Sequence, residues 1–321
     1  MYDSKQIYKN VLPKLNELES LRVEVLSKKS KAQVTCAIMA AIVLILTFVI
    51  MSSAGFAGIF VGAIGAGIIV FTYHVMVGNH MQKFRREYKN KVISEIARTL
   101  EPSMTYAPDS GIGESHFKEI GHYSNRIDRY KTEDYFAGKL GDTSLSFAEI
   151  HAEYKTTSTD GKGNTRTNWH TLFKGVMFSA DFHKHFNAWV TIKPDKESGL
   201  FGWIGTKMQQ LSSSHIRMED PVFEENFKVN AGDDQQARYL LTPDMQQRLL
   251  DVKKQYGSGV IISFQRGCSY LTIPIKEDWF EGSLNESALS ENQVSRIASQ
   301  ISHFLNLVEA MNLNTRIWTK E

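Results

Sequence analysis

The sequence predicts an α+β protein: an N-terminal transmembrane helical hairpin with a helical stalk, followed by a soluble domain of antiparallel sheet and packed helices. Three observations carry this expectation. Two apolar segments, Val34 to Met51 and Ala57 to Val77, stand back to back, and neither holds an Asp, Glu, Lys or Arg. Each is close to the ~20 helical residues that cross about 30 Å of hydrocarbon. The polar segments on either side carry apolar residues at helical spacing, whereas beyond Pro102 short alternating runs rich in β-branched and aromatic residues take over. A buried helical pair in a soluble protein would keep a polar face over its length, and these two segments have none.

Residues 1–33 are expected as an amphipathic helix, with Ile7, Val11, Leu15, Leu18 and Val25 striped among Lys and Glu. Residues 34–78 form the two-span hairpin. Residues 79–102 carry the second span onward as a juxtamembrane helix, in which Phe84, Tyr88, Val92, Ile96 and Leu100 recur every four residues until Pro102 stops it. The two stripes would pack as an antiparallel stalk; the competing arrangement lays the first helix on the bilayer surface. In the second span Gly58, Gly62 and Gly65 make a face of small residues that another helix backbone approaches closely. The first span of the same chain is its expected partner, and a homo-oligomer through that face is the alternative.

Lys28, Lys29 and Lys31 precede the first span, and Lys83, Arg85 and Arg86 follow the second, while the connection Ser52 to Phe56 is uncharged. By the positive-inside bias both flanks are cytoplasmic, where these cations meet anionic lipid headgroups. The formal net charge is only +2 and is concentrated there, so it makes no case for nucleic-acid binding. Of the two cysteines, Cys36 lies in a span and Cys268 in the soluble part, which suits a reducing compartment and excludes a zinc site built on cysteines.

Residues 103–321 are expected as one cytoplasmic α+β domain, long enough to bury a core of its own. A turn-rich linker (Pro102 to Gly113) opens it, and a short helix follows at His116 to Tyr123. Tyr135 to Leu140, Ser144 to Phe147 and Ile150 to Lys155 are short strands, and Thr156 to Asn168 is a polar hairpin tip or loop. Trp169 to Ser179 and Ala188 to Ile192 resume strand character, and Gly199 to Ile204 is a loop whose aromatics cap the core. Thr242 is an N-cap with Pro243 at the first helical position, and the stripe Met245, Leu249, Val252 and Tyr256 ends at Gly257, a left-handed C-cap. A hairpin turns about Gln265-Arg266-Gly267. The last helix opens on a capping box, Ser290 to Gln293, and sends Val294, Ile297, Ile301, Phe304 and Val308 inward.

Candidate chemistry is sparse. Asp181, His183 and His185 alternate on one side of a strand, with Glu149, His151 and His170 in neighbouring strand segments, a weak ligand set for zinc or manganese. In a chain with 10 His the same spacing more often marks an exposed polar face. No phosphate loop, nucleophile elbow, zincin helix or dinucleotide fingerprint is present. The expectation is therefore no cofactor, and no enzyme is inferred. Arg238 with Asp233 and Asp234 reads as fixing the approach to the Thr242-Pro243 helix.

The run Tyr130-Lys131-Thr132-Glu133-Asp134-Tyr135 with Gly138, then Phe147-Ala148-Glu149-Ile150, then Phe173 to Phe182 with Lys184, resembles the bacterial membrane-protein family DUF3137. Phe227-Lys228-Val229 with Asp233 or Asp234, followed by Ala237 to Pro243, is similar to the second half of that pattern. The resemblance implies a two-span protein of the bacterial inner membrane, both termini cytoplasmic, with no catalytic residue to carry over. It also implies an Asn-like residue where this chain has His183, which argues against an essential histidine there. The function expected is that of a membrane-anchored, cytoplasm-facing interaction or scaffold protein, its partners being the lipid bilayer and another protein or a second copy. The alternatives are a membrane-tethered metal-dependent hydrolase using Asp181, His183 and His185, and a secreted bacterial protein inserted in a host membrane.

Overall fold

The computed structural model describes residues 4–161, 163–182, 184, 186–195, 214–311 and 313. The chain divides into two compact units, Met1–Ile96 with Phe280–Ile297, and Ala97–Trp279 with Ala298–Glu321.

The first unit is built on two long helices. Helix α1 (Ser4–Ala54) runs 51 residues without a break, so the amphipathic segment and the first apolar segment are one helix. It passes through Pro13, which is exposed, so the carbonyl left without its amide partner meets water. Helix α2 (Ala57–Leu100) is continuous over 44 residues but takes two π turns, His74–Gly78 and Lys89–Ile93. Each π turn adds one residue to the helix and rotates the sequence beyond it. Below the second, the buried stripe of Phe84 and Tyr88 widens to Lys89, Val92, Ile93 and Ile96. Ile7, Val11, Leu15, Leu18 and Val25 of α1 are at most 2 % exposed, so the stalk arrangement holds. Its antiparallel register is set by His80 Nδ1 at 3.8 Å from a Glu24 carboxylate oxygen, Lys91 Nζ at 2.8 Å from Glu17, and the pair Lys14 with Glu95.

A distant segment straps this helix pair. Gly282 lies so close to the Tyr88 ring that a Cβ would sit 2.6 Å from its Cγ. Lys89 Nζ meets Glu281 at 2.8 Å, Arg22 Nη1 donates to the Leu284 carbonyl at 3.0 Å, and Tyr8 O–H donates to Leu289 at 2.9 Å. The Ala288 N–H donates to Glu19 at 2.7 Å, and the Glu19 carboxyl, held chiefly by Arg22, drops to about 2. The expected capping box is replaced: Gln293 accepts from the Ser283 N–H and donates to the Ser287 carbonyl, each at 3.0 Å, while the Ser290 N–H bonds to Ser287.

The second unit is an antiparallel sheet of nine strands among the described residues, ordered β1-β2-β3-β4-β9-β8-β5-β7-β6. In chain order these are β1 (Thr105–Ala107), helix α3 (Glu114–Glu119), β2 (Arg129–Leu140), β3 (Thr143–Thr159), β4 (Thr165–Asp181), β5 (Val190–Pro194) and β6 (Ser214–Ile216). Helix α4 (Pro221–Asn226), β7 (Phe227–Ala231), α5 (Asp234–Leu240), α6 (Pro243–Tyr256), β8 (Ile261–Gln265), β9 (Cys268–Pro274) and, from Ala298 onward, α7 (Glu291–Ala310) follow. The short strands expected around residues 135–155 are two long ones. Of the two readings of Thr156 to Asn168 the hairpin holds and the loop does not: the run is mostly ladder, paired from Thr156 opposite Asn168 down to Thr159 opposite Thr165. The Gly199 to Ile204 loop lies outside the described residues.

Strand alternation gives the sheet two faces. Ala148, Ile150, Ala152, Phe173 and Met177 pack on one face with Phe117, Ile120 and Tyr123 from α3 and the chain after it. On the other face Phe304 of α7 stacks on Phe147 with centroids 4.5 Å apart, and Phe136 stacks on Phe147 at 4.6 Å. The N-cap read from sequence is present, with Thr242 Oγ1 accepting from Met245 N–H at 3.4 Å; Gly257 ends the helix at positive φ, +93°, but with ψ 170° it is extended and not the left-handed helical cap expected. Arg266 and Gly267, both at positive φ, make the two-residue turn between β8 and β9.

Candidate functional site

In the helical unit the apolar segments meet at the small residues. A Cβ on Gly58 would lie 2.4 Å from Met51 Cγ, and one on Gly65 would lie 2.5 Å from Val43 Cγ1. At Gly62 the nearest atom is Thr47 Oγ1, 3.3 Å away. Away from this seam the side chains are uncovered: Leu44, Phe48, Phe60 and Val70 are 69, 75, 71 and 70 % exposed. Both helices are long and apolar enough to cross a membrane by length and composition. Lys31, Lys83, Arg85 and Arg86 are exposed and Lys28 and Lys29 half-buried, all within about two helical turns of the Glu24–His80 contact.

On the sheet unit, the face that α7 covers at Phe147 turns polar further along. Glu149 and His151 follow Phe147 on that face of β3, opposite Glu133 and Lys131 of β2, with Lys174 opposite His151 on β4. Parity is kept by a bulge, because three residues separate Glu133 from Phe136 where two separate Phe147 from Glu149. Asp134, the residue pushed out, takes φ +57° and accepts from Tyr106 O–H. Lys131, Glu133, Glu149, His151 and Lys174, with Glu277 and Asp278, line a cleft of about 200 Å³. Its groups are engaged: Lys174 Nζ pairs with Asp278 at 2.9 Å and Glu149 accepts the Trp279 N–H at 2.8 Å. Gly175 forms part of the wall, where a Cβ would lie 2.1 Å from the Ile273 carbonyl.

The strongest polar cluster was not legible in the sequence, which carries no spacing that links its members. His122, 0 % exposed, has Nε2 2.8 Å from Ser263 Oγ and Nδ1 2.9 Å from Thr272 Oγ1. Burial, and then the charge of Lys193, push its pKa well below the usual histidine value, so the ring is neutral. Lys193 Nζ donates to the His122 carbonyl at 3.3 Å, and burial brings its pKa down to about 8. A histidine beside a serine has nucleophile-and-base geometry, but the second ring nitrogen faces a hydroxyl instead of a carboxylate. Ser263 is 1 % exposed and Thr272 0 %, so the cluster is a core network.

Of the expected metal-ligating trio only Asp181 is among the described residues, and the histidines of the neighbouring strand segments stand apart from it. His170 and Asp181 lie eleven residues apart on β4, roughly 36 Å at strand rise. His170 Nε2 meets Thr156 Oγ1 at 2.8 Å, while Asp181 sits opposite Cys268, whose Sγ is 3.9 Å from Oδ1. His151 stands opposite Lys174, seven residues from Asp181. His183 and His185 lie outside the described residues. Arg238 pairs with Asp234 at 3.2 Å and with Glu219, and Asp233 accepts the Gln236 N–H at 2.8 Å, so these groups hold the entry of α5, whereas the Thr242-Pro243 helix expected to use them is capped by Thr242 itself.

The family described as a protein of unknown function, DUF3137, matches residues 171–313, which run from within β4 to beyond the end of α7. This is the family whose pattern the sequence resembles. No curated protein matches the chain. Among solved structures, the crystal structure of the mycobacterial trehalose monomycolate transport factor A, TtfA, is similar at a TM-score of 0.32 and 8 % identity, covering 67 % of this chain and 95 % of that one.

Proposed function

We propose that the chain is a membrane-anchored, cytoplasm-facing interaction or scaffold protein of the bacterial inner membrane, which holds its sheet unit at the bilayer and acts by binding another protein. The observation that carries the reading is the uncovered apolar surface of α1 and α2, with side chains up to 75 % exposed along stretches that contain no charge. Val34 to Met51 spans about 27 Å as helix, and surface of that extent is stable only in lipid. The basic residues at the cytoplasmic ends and the neutral Ser52 to Phe56 connection support both termini inside. The mixed-charge cleft on the sheet supports a protein partner.

Two measurements test this. Cysteine placed at Ser53 labels from outside intact cells, whereas Cys268 labels only after permeabilisation; outside labelling at Cys268 reverses the orientation. The full chain, purified gently in detergent, brings a stoichiometric protein partner or a second copy with it. Repeated recovery of a solitary monomer ends the interaction reading.

A further inference from the structure

Beyond Glu153 and Thr171 the β3–β4 pair leaves the sheet. The last β2 pairing on β3 is Arg129 with Glu153, and β9 covers β4 only from Gly175 to Asp181. From Tyr154 opposite His170 to Thr159 opposite Thr165 the two strands continue as a ribbon about 20 Å long. Leu172 is an extra residue in β4 at the base of this arm, since Ala152 faces Phe173 and Glu153 faces Thr171. Among the described residues no strand pairs with the outer edge of β4 between Thr165 and Thr171.

Such an edge is a template for another strand, and soluble proteins blunt theirs with Pro, Lys, inward charges or close bulges. Thr165-Arg166-Thr167-Asn168-Trp169-His170-Thr171 has one formal charge and neither Pro nor Gly, and three of its residues are β-branched. A two-stranded ribbon is marginal in water by itself. Near its base Arg129 stacks 3.5 Å over Trp169, Tyr154 lies against His170 at 5.1 Å, and the Lys155 N–H donates to Asp128 at 3.0 Å.

We propose that the β4 edge of the arm pairs antiparallel with the same edge of a second copy, joining two ribbons across a two-fold axis at Asn168. In that register Thr165 lies opposite Thr171, Thr167 opposite Trp169 and Arg166 opposite His170. The only formally charged side chain of the edge therefore never meets its own copy, and Thr–Thr and Thr–Trp pairs are favourable cross-strand neighbours. The contact is isologous and closes at two chains. The inference rests on the interaction reading and names one partner for it.

The experiment is a cysteine scan of the full chain in its membrane, with Cys36→Ala and Cys268→Ala removing the native thiols. Asn168→Cys places two Cα atoms about 5 Å apart, within disulfide range, whereas Thr165→Cys leaves them roughly 20 Å apart. Mild oxidation is expected to link Asn168→Cys at least tenfold faster than Thr165→Cys. Asn168→Lys, which opposes two ammonium groups on the axis at an exposed position, is expected to weaken the dimer at least tenfold. Equal linking at both positions, or none, overturns the proposal, as does a dimer indifferent to Asn168→Lys. A chain that stays monomeric yet binds another protein stoichiometrically overturns the self-pairing alone, and a solitary monomer overturns the interaction reading with it.

Discussion

Replacing Lys193 by Met should stabilise the sheet unit, because the native side chain keeps an ammonium group in a place that disfavours it. Its pKa falls from 10.5 to about 8 through burial, with no carboxylate among the causes. Its cross-strand neighbour on β7 is another cation, Lys228, which is itself paired with Asp195. At about 1.4 kcal/mol per pH unit, the cost of the buried charge at pH 7 is about 3 kcal/mol. Met keeps the length and the apolar stem but loses the hydrogen bond to the His122 carbonyl, worth about 1 kcal/mol. The net gain is about 2 kcal/mol, or a melting temperature higher by about 4–8 °C for a unit of this size. The pH dependence carries the sharper test. Below pH 8 the amine is charged in both states and the penalty is full. Between pH 8 and 10.5 the unfolded chain keeps a proton that the folded chain has released, so wild-type stability rises with pH through that window. The Met variant has no such slope, and its advantage should shrink as pH climbs. Thermal unfolding of the full chain in mild detergent, followed by near-ultraviolet circular dichroism from pH 7 to 10, measures both quantities. A Met variant less stable at pH 7, or a gap that does not change with pH, would refute the reasoning.

Ile301→Asp sets an unpaired carboxylate at a position 0 % exposed, one turn before Phe304, at a cost of several kcal/mol; cooperative unfolding of the sheet unit is expected to vanish, and a normal melt would show that this stretch of α7 is peripheral. Glu281→Ala removes the carboxylate 2.8 Å from Lys89, whose side chain is 8 % exposed, and should cost about 1–3 kcal/mol. Hydrogen exchange in residues 280–290 should quicken, and Lys89→Met should restore it; unchanged exchange would mean that the ion pair does not hold the strap. Gly65→Ile drives a Cβ to within 2.5 Å of Val43, so a disulfide between Thr47→Cys and Gly62→Cys should form at least tenfold more slowly in that background. Equal rates would show that the helices do not meet on this face.

Elements whose causes are local were legible residue by residue. The uncharged spans and the stripes from Ile7 to Val25 and from Phe84 to Ile96 need only helical periodicity to declare themselves. The Thr242 cap, Pro243 and Gly257 bound α6 through backbone rules that act within a few residues, and the turn at Arg266-Gly267 follows from two adjacent positive φ angles. Local signals misled where a polar run was in fact paired. Thr156 to Asn168 has the composition of a loop, yet Thr, Asn and Arg serve a solvated ladder as well as a turn, and only a partner strand distinguishes the two.

What the tertiary structure alone decided depends on residues far apart in the chain. β5 lies between β8 and β7, and the strap meets α2 although nearly 200 residues separate Lys89 from Glu281. Ser263 and Thr272 close on His122 from strands some 140 and 150 residues further along the chain. The same holds in reverse for Asp181 and His170, which share a strand and an apparent chemistry but stand roughly 36 Å apart because a strand is extended. Periodicity and capping set which segments form helix or strand, since they act over one or two turns. Pairing, bulges and packing set which side chains meet, and their energies belong to no single stretch of sequence.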